Sequence, residues 1–374
     1  MSKILIIGGG FAGLSACHRL GKSGLGLDIT LVDKKETSDF LPMLPDCLGR
    51  GIDPQFLACK IEDTARKTGF KFIRDEVVSI DLQKREVLTK QRALNYDYLV
   101  IASGSETNFY GNEVIRSHAY ALDGADDAIK INAALRQGGF ANFIIGGGGY
   151  TGIEVATNLR LYADKMGKEA GIIIVERAAQ ILGPLPEWMR NYTAANLKRM
   201  RIEVFTNATI EGAEEERVYL SGGKIFHKAL LVWAAGVKTA GFIQNLNSEK
   251  NPQGRIKVDS YLRLNETCFV AGDAAYFAHQ NGFLRMAVQF AITQGSCAAI
   301  NIIKSIGKKK LEEYRPLDLG YIIPMANNRS CGKVTGFNFK GHLPTILHFT
   351  MCVYRSCGWK NKSGVIKALL NKRR

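Results

Sequence analysis

The chain of 374 residues lacks closely spaced cysteine pairs. Its eight cysteines are scattered, with no CxxC and no spacing that would put two pairs around a zinc ion. A metal site is therefore not expected, and neither is a secreted disulfide framework. The chain also lacks an unbroken apolar run of about 20 residues, the length a membrane-crossing helix needs. The uncharged stretch 286–303 is interrupted by Gln289, Thr293, Gln294, Ser296 and Asn301, and it reads as a buried helix. The first residues run straight into a strand pattern, so no signal peptide is expected. Acidic residues are missing from Leu319–Arg374, which carries ten of the fifteen net positive charges in its 56 residues. A segment this basic wants an anionic surface.

What is present is glycine, 39 residues of it, in a chain that is 46% apolar. This suits an α/β protein of two or three domains, rich in tight turns. Residues 144–156 read IIGGGGYTGIEVA, an apolar strand end running into a helix. Gly147, Gly149 and Gly152 fit GxGxxG. The first glycine makes the turn, the second admits a pyrophosphate, and the third lets helix pack on strand, with the helix N-terminus facing the phosphates. An acidic residue should end the next strand, and Glu176 stands 24 positions after Gly152. The same plan opens the chain. Residues 3–13 read KILIIGGGFAG, with Gly8, Gly10 and Gly13, and Asp33 ends the next strand 20 residues on. Two dinucleotide sites in one chain imply an exchange between two dinucleotides, most simply a hydride between a nicotinamide and a flavin.

Helix one is expected to continue over 14–24, with short strands over 71–73, 75–81, 84–88 and 96–102. The last ends in the small-residue turn Ser103-Gly104-Ser105. Residues 229–237, ALLVWAAGV, repeat the strand-to-glycine ending of YDYLVIASG, so the two halves share a plan. Residues 268–275, CFVAGDAA, end a strand in Gly272-Asp273. An aspartate there either bonds a ribityl hydroxyl or caps a helix.

The order GxGxxG, YDYLVIASG, GGGGYTGIE, acidic strand end, WAAGV, VAGDAA resembles the two-dinucleotide flavoprotein superfamily over nearly the whole chain. Within it, FLPMLP, TGIE and VWAAGV look most like the type II, single-subunit, non-proton-pumping NADH:quinone oxidoreductases. Residues 289–295, QFAITQG, resemble that family's AQxAxQQG element beside the quinone. Val288 replaces the preceding Ala there, and Thr293 the first Gln of the QQ pair.

The resemblance implies two Rossmann-like domains, the NAD domain inserted in the FAD domain. FAD would occupy 1–107 and 257–315, NADH 108–256, with 316–374 a membrane-associating region. Gly8, Gly10, Gly13 and Asp33 would hold the ADP part of FAD, with Ala102, Gly104 and Asp273 along its path. Gly147, Gly149, Gly152 and Glu176 would hold NADH. Lys34, Val78 and Gly236 complete the cofactor-binding set. Glu154 would sit beside the nicotinamide, or is simply a helix acid favoured by the dipole. Gln289 and Thr293, at i and i+4, would bond a quinone carbonyl or make ordinary interhelical contacts. Lys340 is a weaker candidate for the quinone pocket.

In disulfide reductases the region 40–51 carries a CxxxxC pair against the flavin. Here Pro42 takes the first position and only Cys47 remains, as a lone redox cysteine or a buried apolar thiol. Sulfide:quinone oxidoreductases share the fold but use a mid-chain cysteine, and none lies between Cys59 and Cys268. Apoptosis-inducing-factor-like quinone reductases are the nearer rival. Ser363 is expected to cap a short helix from Gly364 to about Lys372. Ile366, Leu369 and Leu370 would share its face, Val365 would lie at the edge, and Trp359 would precede it. Such a helix lies in the plane of an anionic membrane, and residues 345–354 would add a second contact. Its apolar content argues against nucleic acid as the partner. The expected location is peripheral, at the cytoplasmic face of the cell membrane, with a homodimer possible.

Overall fold

The computed structural model describes residues 1–279 and 282–370. It divides into two compact units. One comprises Met1–Ser38, Cys59–Glu106 and Val237–Asp318, the other Asp39–Ala58, Thr107–Gly236 and Leu319–Arg374. Six helices position the groups discussed below: α1 (Phe11–Gly21), α2 (Asp46–Gly49), α3 (Tyr150–Lys165), α4 (Val288–Ile306), α5 (His342–Arg355) and α6 (Gly358–Leu370).

The first unit is built on a five-stranded parallel sheet in the order Cys268–Val270, Tyr98–Ile101, Lys3–Ile7, Asp28–Asp33, Lys71–Arg74. Its strands read as near-continuous apolar runs because both faces are covered. Ile4 and Ile6 point to one core with Ala16, Leu20, Ala298 and Ile302, and Leu5 and Ile7 to another with Val270 and Phe290. The uncharged stretch forms α4, which is buried along one side, and the reason for its glycine is visible. A Cβ on Gly295 would stand 2.0 Å from the Ala12 carbonyl oxygen, so α4 reaches α1 backbone to backbone. Ser15 adds a hydroxyl bond of 2.7 Å to the Ile292 carbonyl. Helix α1 stops at Gly21 rather than 24. The strand expected over 75–81 begins only at Val77. Asp75 is drawn off to the Thr89 hydroxyl at 2.7 Å.

The second unit has a four-stranded parallel sheet, Ile202–Phe205, Gly171–Val175, Asn142–Gly146, Ala229–Trp233. Its core takes in Ile153 and Leu159 of α3, Leu48 of α2, and Ile323, Met325 and Cys331 of the antiparallel ribbon Gly320–Ile323, Ser330–Val334, Phe337–Gly341. That shared core is why residues 39–58 and 319–374 pack with 107–236. The sequence groups the first of these with the opening glycine turn and sets the second apart.

The C-terminal helix differs from expectation. It begins at Gly358, so Trp359 lies within it, and Ser363 is interior, its hydroxyl donating to the Lys360 carbonyl at 2.9 Å. Val365 is wholly buried rather than at the edge of an exposed face. A Cβ on Gly364 would stand 2.5 Å from the Phe56 ring. Asn371, Lys372, Arg373 and Arg374, where the expected helix ends, lie outside the described residues. Among the described residues no helix is long and apolar enough to cross a membrane.

Candidate functional site: two glycine turns and a buried charged cluster

The turn at Gly8 forms because side chains are forbidden there. Gly8 has φ of 105°, and a Cβ on it would lie 2.3 Å from the Ala102 carbonyl oxygen. A Cβ on Gly13 would lie 1.9 Å from the Gly8 carbonyl oxygen, whereas nothing stands within 4 Å of the corresponding point on Gly10. Two glycines thus close the turn and the middle one faces open space. The Asp33 carboxylate accepts from the backbone N–H of Gly9 at 2.6 Å and of Lys35 at 2.8 Å.

The second turn repeats this arrangement. Gly147 has φ of 107° and a Cβ would lie 2.5 Å from the Ala234 carbonyl oxygen; one on Gly152 would lie 1.9 Å from that of Gly147, and Gly149 is open. Glu176 accepts from Gly148 N–H and Ala178 N–H, both at 2.7 Å. An open middle glycine at a helix N-terminus, with a carboxylate fixed beside it, fits a dinucleotide in both units.

The other expected cofactor residues are placed less uniformly. Lys34 is exposed, 3.8 Å from the Glu106 carboxylate. Val78 is half exposed on Val77–Asp81, the first strand of an antiparallel ribbon outside the parallel sheet. Gly104 adopts φ of 68° in open space, and Gly236 has φ of 147° with the Tyr110 hydroxyl against it. Asp273 does not cap a helix: it sits inside the 3-10 turn Gly272–Ala274. Its carboxylate accepts from Ser105 Oγ at 2.9 Å, while Gln294 Oε1 holds the Gly272 N–H at 2.8 Å. Arg255, itself buried, donates to the carbonyls of Asp273, Ala275 and Leu284. Burial pushes the Asp273 carboxyl up, and the Ser105 bond and Arg255 charge draw it back.

Gln289 and Thr293 lie on one side of α4, but both have protein partners. Gln289 Nε2 donates to Asp318 at 3.2 Å, and Asp318 also receives Arg285. The Thr293 hydroxyl lies 2.8 Å from the Tyr314 hydroxyl and bonds back to the Gln289 carbonyl. Lys340 lies over the rings of Trp188 and Tyr192, at 5.3 and 5.7 Å.

Glu154 is the fifth residue of α3, beyond the first turn, so the helix dipole does not account for it. Burial pushes its carboxyl well above the ordinary carboxylate range, and the Asp46 charge adds to this. Asp46 lies on α2, which packs against α3. Gly49 lets α2 meet α3 so closely that a Cβ would stand 2.2 Å from the Asn158 carbonyl oxygen, and Asn158 Nδ2 bonds the Glu154 carbonyl at 3.0 Å. Cys47 is a buried thiol, pushed up by burial and by the charges of Asp46 and Asp53, which suits the apolar reading rather than a reactive thiolate. Reasoning from sequence missed Asp46, Arg50, Gln294 and Arg255. The i, i+4 spacing of Asp46 and Arg50 is a signal for the first two; the buried pair Gln294 and Arg255 carried none.

Residues 2–295 match the model of the pyridine nucleotide-disulphide oxidoreductase family. The chain is similar to a demethylphylloquinone reductase of Synechocystis, 26% identical over 96% of this chain and 93% of that one. It is also similar to a type II NADH:quinone oxidoreductase of Staphylococcus aureus, 26% identical over 89% and 90%. The fold matches that of NDH2 from Plasmodium falciparum, solved with NADH, at a TM-score of 0.86 and 17% identity, over 99% of this chain and 98% of that one. With two glycine turns of one design in its two units, the chain belongs to the pyridine nucleotide-disulphide oxidoreductase family.

Proposed function

We infer that the protein is a FAD-dependent NADH:quinone oxidoreductase: a hydride passes from NADH to FAD and two electrons go on to a membrane quinone, without a dithiol relay and without proton pumping. The observation that carries this reading is the fully built second turn. A chain with only a flavin to bind has no use for Gly147, Gly149, Gly152 and a Glu176 pinned by two N–H groups. Bound FAD would supply a carrier that accepts a hydride and releases two electrons to a quinone. Gly8, Gly10, Gly13 and Asp33 would hold its ADP part, with Lys34, Val78, Ala102, Gly104 and Asp273 along the remainder. Glu176 would take the ribose hydroxyls of NADH, with Gly236 closing that site. Gln289 and Thr293 would meet the quinone by exchanging their bonds to Asp318 and Tyr314. Glu154 would sit beside the nicotinamide.

Attachment to an anionic membrane is part of this reading. Helix α5 turns apolar side chains outward: Leu343, Ile346, Met351 and Tyr354 are exposed, while Thr345 and Cys352 are buried. On α6, Trp359 is 87% and Leu370 76% exposed, beside Lys360, Lys362 and Lys367. An apolar face flanked by lysines fits an interface between headgroups and acyl chains, each lysine contributing about 1 kcal/mol near an anionic surface. NADH is supplied from the cytoplasm, which puts this face on the cytoplasmic side. A homodimer is the competing use of the same face, and sedimentation in detergent reads it.

An absorbance experiment tests the core of the assignment. The purified protein should show flavin bands, bleached by NADH and restored by a water-soluble quinone. Bands that NADH leaves unchanged would overturn it.

A further inference from the structure

In the second unit, the loop 108–110 is fastened to the turn 234–236 that follows the strand Ala229–Trp233. The Asn108 N–H donates to the Gly236 carbonyl at 2.9 Å, and Trp233 Nε1 donates to the Asn108 carbonyl at 2.8 Å. Phe109 stacks on Trp233, with ring centres 6.1 Å apart and planes 20° from parallel. The Tyr110 hydroxyl donates to the Ala235 carbonyl at 3.1 Å. On its other side the same turn forms a wall of the second glycine turn. The Ala234 N–H donates to the Gly146 carbonyl at 2.7 Å. A Cβ on Gly147 would stand 2.5 Å from the Ala234 carbonyl oxygen and 2.7 Å from the Ala235 Cα. Two links thus join Tyr110 to the nucleotide turn: its hydroxyl to Ala235, and the backbone of Ala234 and Ala235 to Gly147.

Tyr110 is costly where it stands. Its φ of 52° lies in the left-handed region, which bulky side chains avoid. Its side chain is 61% exposed, so the ring gains little from burial. The Asn108 side-chain oxygen accepts from the Tyr110 N–H at 2.9 Å and holds the bend. Opposite the hydroxyl stands Gly236, with φ of 147° and room for no side chain: a Cβ there would lie 2.4 Å from the Tyr110 hydroxyl oxygen. A strained, exposed aromatic residue whose hydroxyl has a glycine kept clear for it is placed for a task rather than for stability.

We propose that Tyr110 is a positioning residue for NADH: its hydroxyl holds the Ala235 carbonyl and so keeps the turn 234–236 as a fixed wall against Gly147, in the shape the dinucleotide enters. This rests on the reading of the second glycine turn as the NADH site. The hydroxyl acts through backbone and takes no part in hydride transfer. It therefore stabilises bound NADH and the transition state equally, which lowers KM and leaves kcat unchanged.

The test uses stopped flow on the full-length flavoprotein. Flavin bleaching is followed against NADH concentration. Separately, flavin reduced by light, without NADH, is mixed with a water-soluble quinone. Tyr110→Phe removes only the hydroxyl. The NADH concentration giving half the maximal bleaching rate should rise about tenfold, the worth of one hydrogen bond. The maximal bleaching rate and the quinone half-reaction should stay within about twofold of the parent. Gly236→Ala drives a methyl onto the hydroxyl and should raise the same concentration. With the hydroxyl gone, the nearest ring atom lies 3.5 Å from that methyl, so the effect in the double variant should fall short of the sum of the two. An unchanged NADH dependence in Tyr110→Phe, in a parent that NADH bleaches, would overturn the proposal and leave the NADH site standing. An equal fall in both half-reactions with the half-saturating concentration unmoved would mark Tyr110 as merely structural and would overturn it too, as would loss of flavin from this variant. A parent that NADH does not bleach would instead remove the NADH reading itself.

Discussion

The two glycine turns are close copies, yet what packs behind them is not. Behind the first, α4 reaches α1 through Gly295 in a setting of Ala12, Ala16, Ala298 and Ala299. Behind the second, α2 reaches α3 through Gly49 and brings Asp46 and Arg50 with it. Both use a glycine so that a second helix can touch the backbone of the first. The turn itself is a binding device and is indifferent to chemistry. Reactivity is placed by the side chains that the approaching helix delivers, and these differ because one contact is apolar and the other is charged.

The comparison is broken most sharply by filling one turn at a time. Gly152→Ala drives a methyl into the Gly147 carbonyl, 1.9 Å away, an overpacking that costs about 1–3 kcal/mol. We expect a protein that keeps its flavin bands but is bleached by NADH at least ~100-fold more slowly. Gly13→Ala, with the same clash in the first unit, should instead purify without flavin. Identical phenotypes would mean that the two turns do not act separately.

Attachment should belong to the second unit alone. Replacing either Ile346 or Tyr354, both exposed on α5, by glutamate should weaken binding to anionic liposomes by about 10- to 100-fold, on about 1.5–3 kcal/mol per buried apolar side chain. Deleting 359–374 should release the protein, while turnover of a water-soluble quinone continues. Unchanged liposome binding in both variants would remove the membrane assignment.

Stability against pH should also distinguish the units. His348 has a folded pKa of about 4, below the ordinary 6.5. The unfolded chain therefore takes up the proton first, and stability is lost as pH falls from about 6.5 towards 4, by about 3 kcal/mol in full. Glu154 and Asp46 are raised and act with the opposite sign, losing stability as pH rises above the ordinary carboxylate range. Comparing His348→Gln with the parent isolates the histidine: the acid-side loss in chemical denaturation should flatten.

The acids at the strand ends differ least. Glu176→Ala should narrow the preference for NADH over NADPH by about tenfold, because a 2′-phosphate no longer meets a carboxylate; equal preference in the parent would contradict the reading. Smallest of all should be Cys47→Ala. A buried, protonated thiol takes no part in electron transfer, so quinone reduction should stay within about twofold.

Much of this was legible in the sequence, for reasons of local geometry. Gly8, Gly13, Gly147 and Gly152 are fixed by steric contacts within a few residues or with an adjacent strand, so GxGxxG carries its own structural meaning. Asp33 and Glu176 follow because a strand of known length must return to the same edge. Fold and cofactor class both follow from such short-range rules. Folding in three dimensions decided the rest. Ser363 read as a cap and Val365 as an exposed edge, because amphipathicity over one helix does not say which side finds a core; Phe56, some 300 residues earlier, does. Gln289 and Thr293 read either as quinone contacts or as ordinary polar contacts, and only the fold shows that Asp318 and Tyr314 come back to meet them. The charged cluster was invisible for the same reason. Asp46, Glu154 and His348 lie far apart in the chain, and their proton affinities are set by burial and by neighbouring charges, the Arg50 guanidinium for Asp46 and His348 and the Asp46 carboxylate for Glu154, quantities that exist only once the helices have packed.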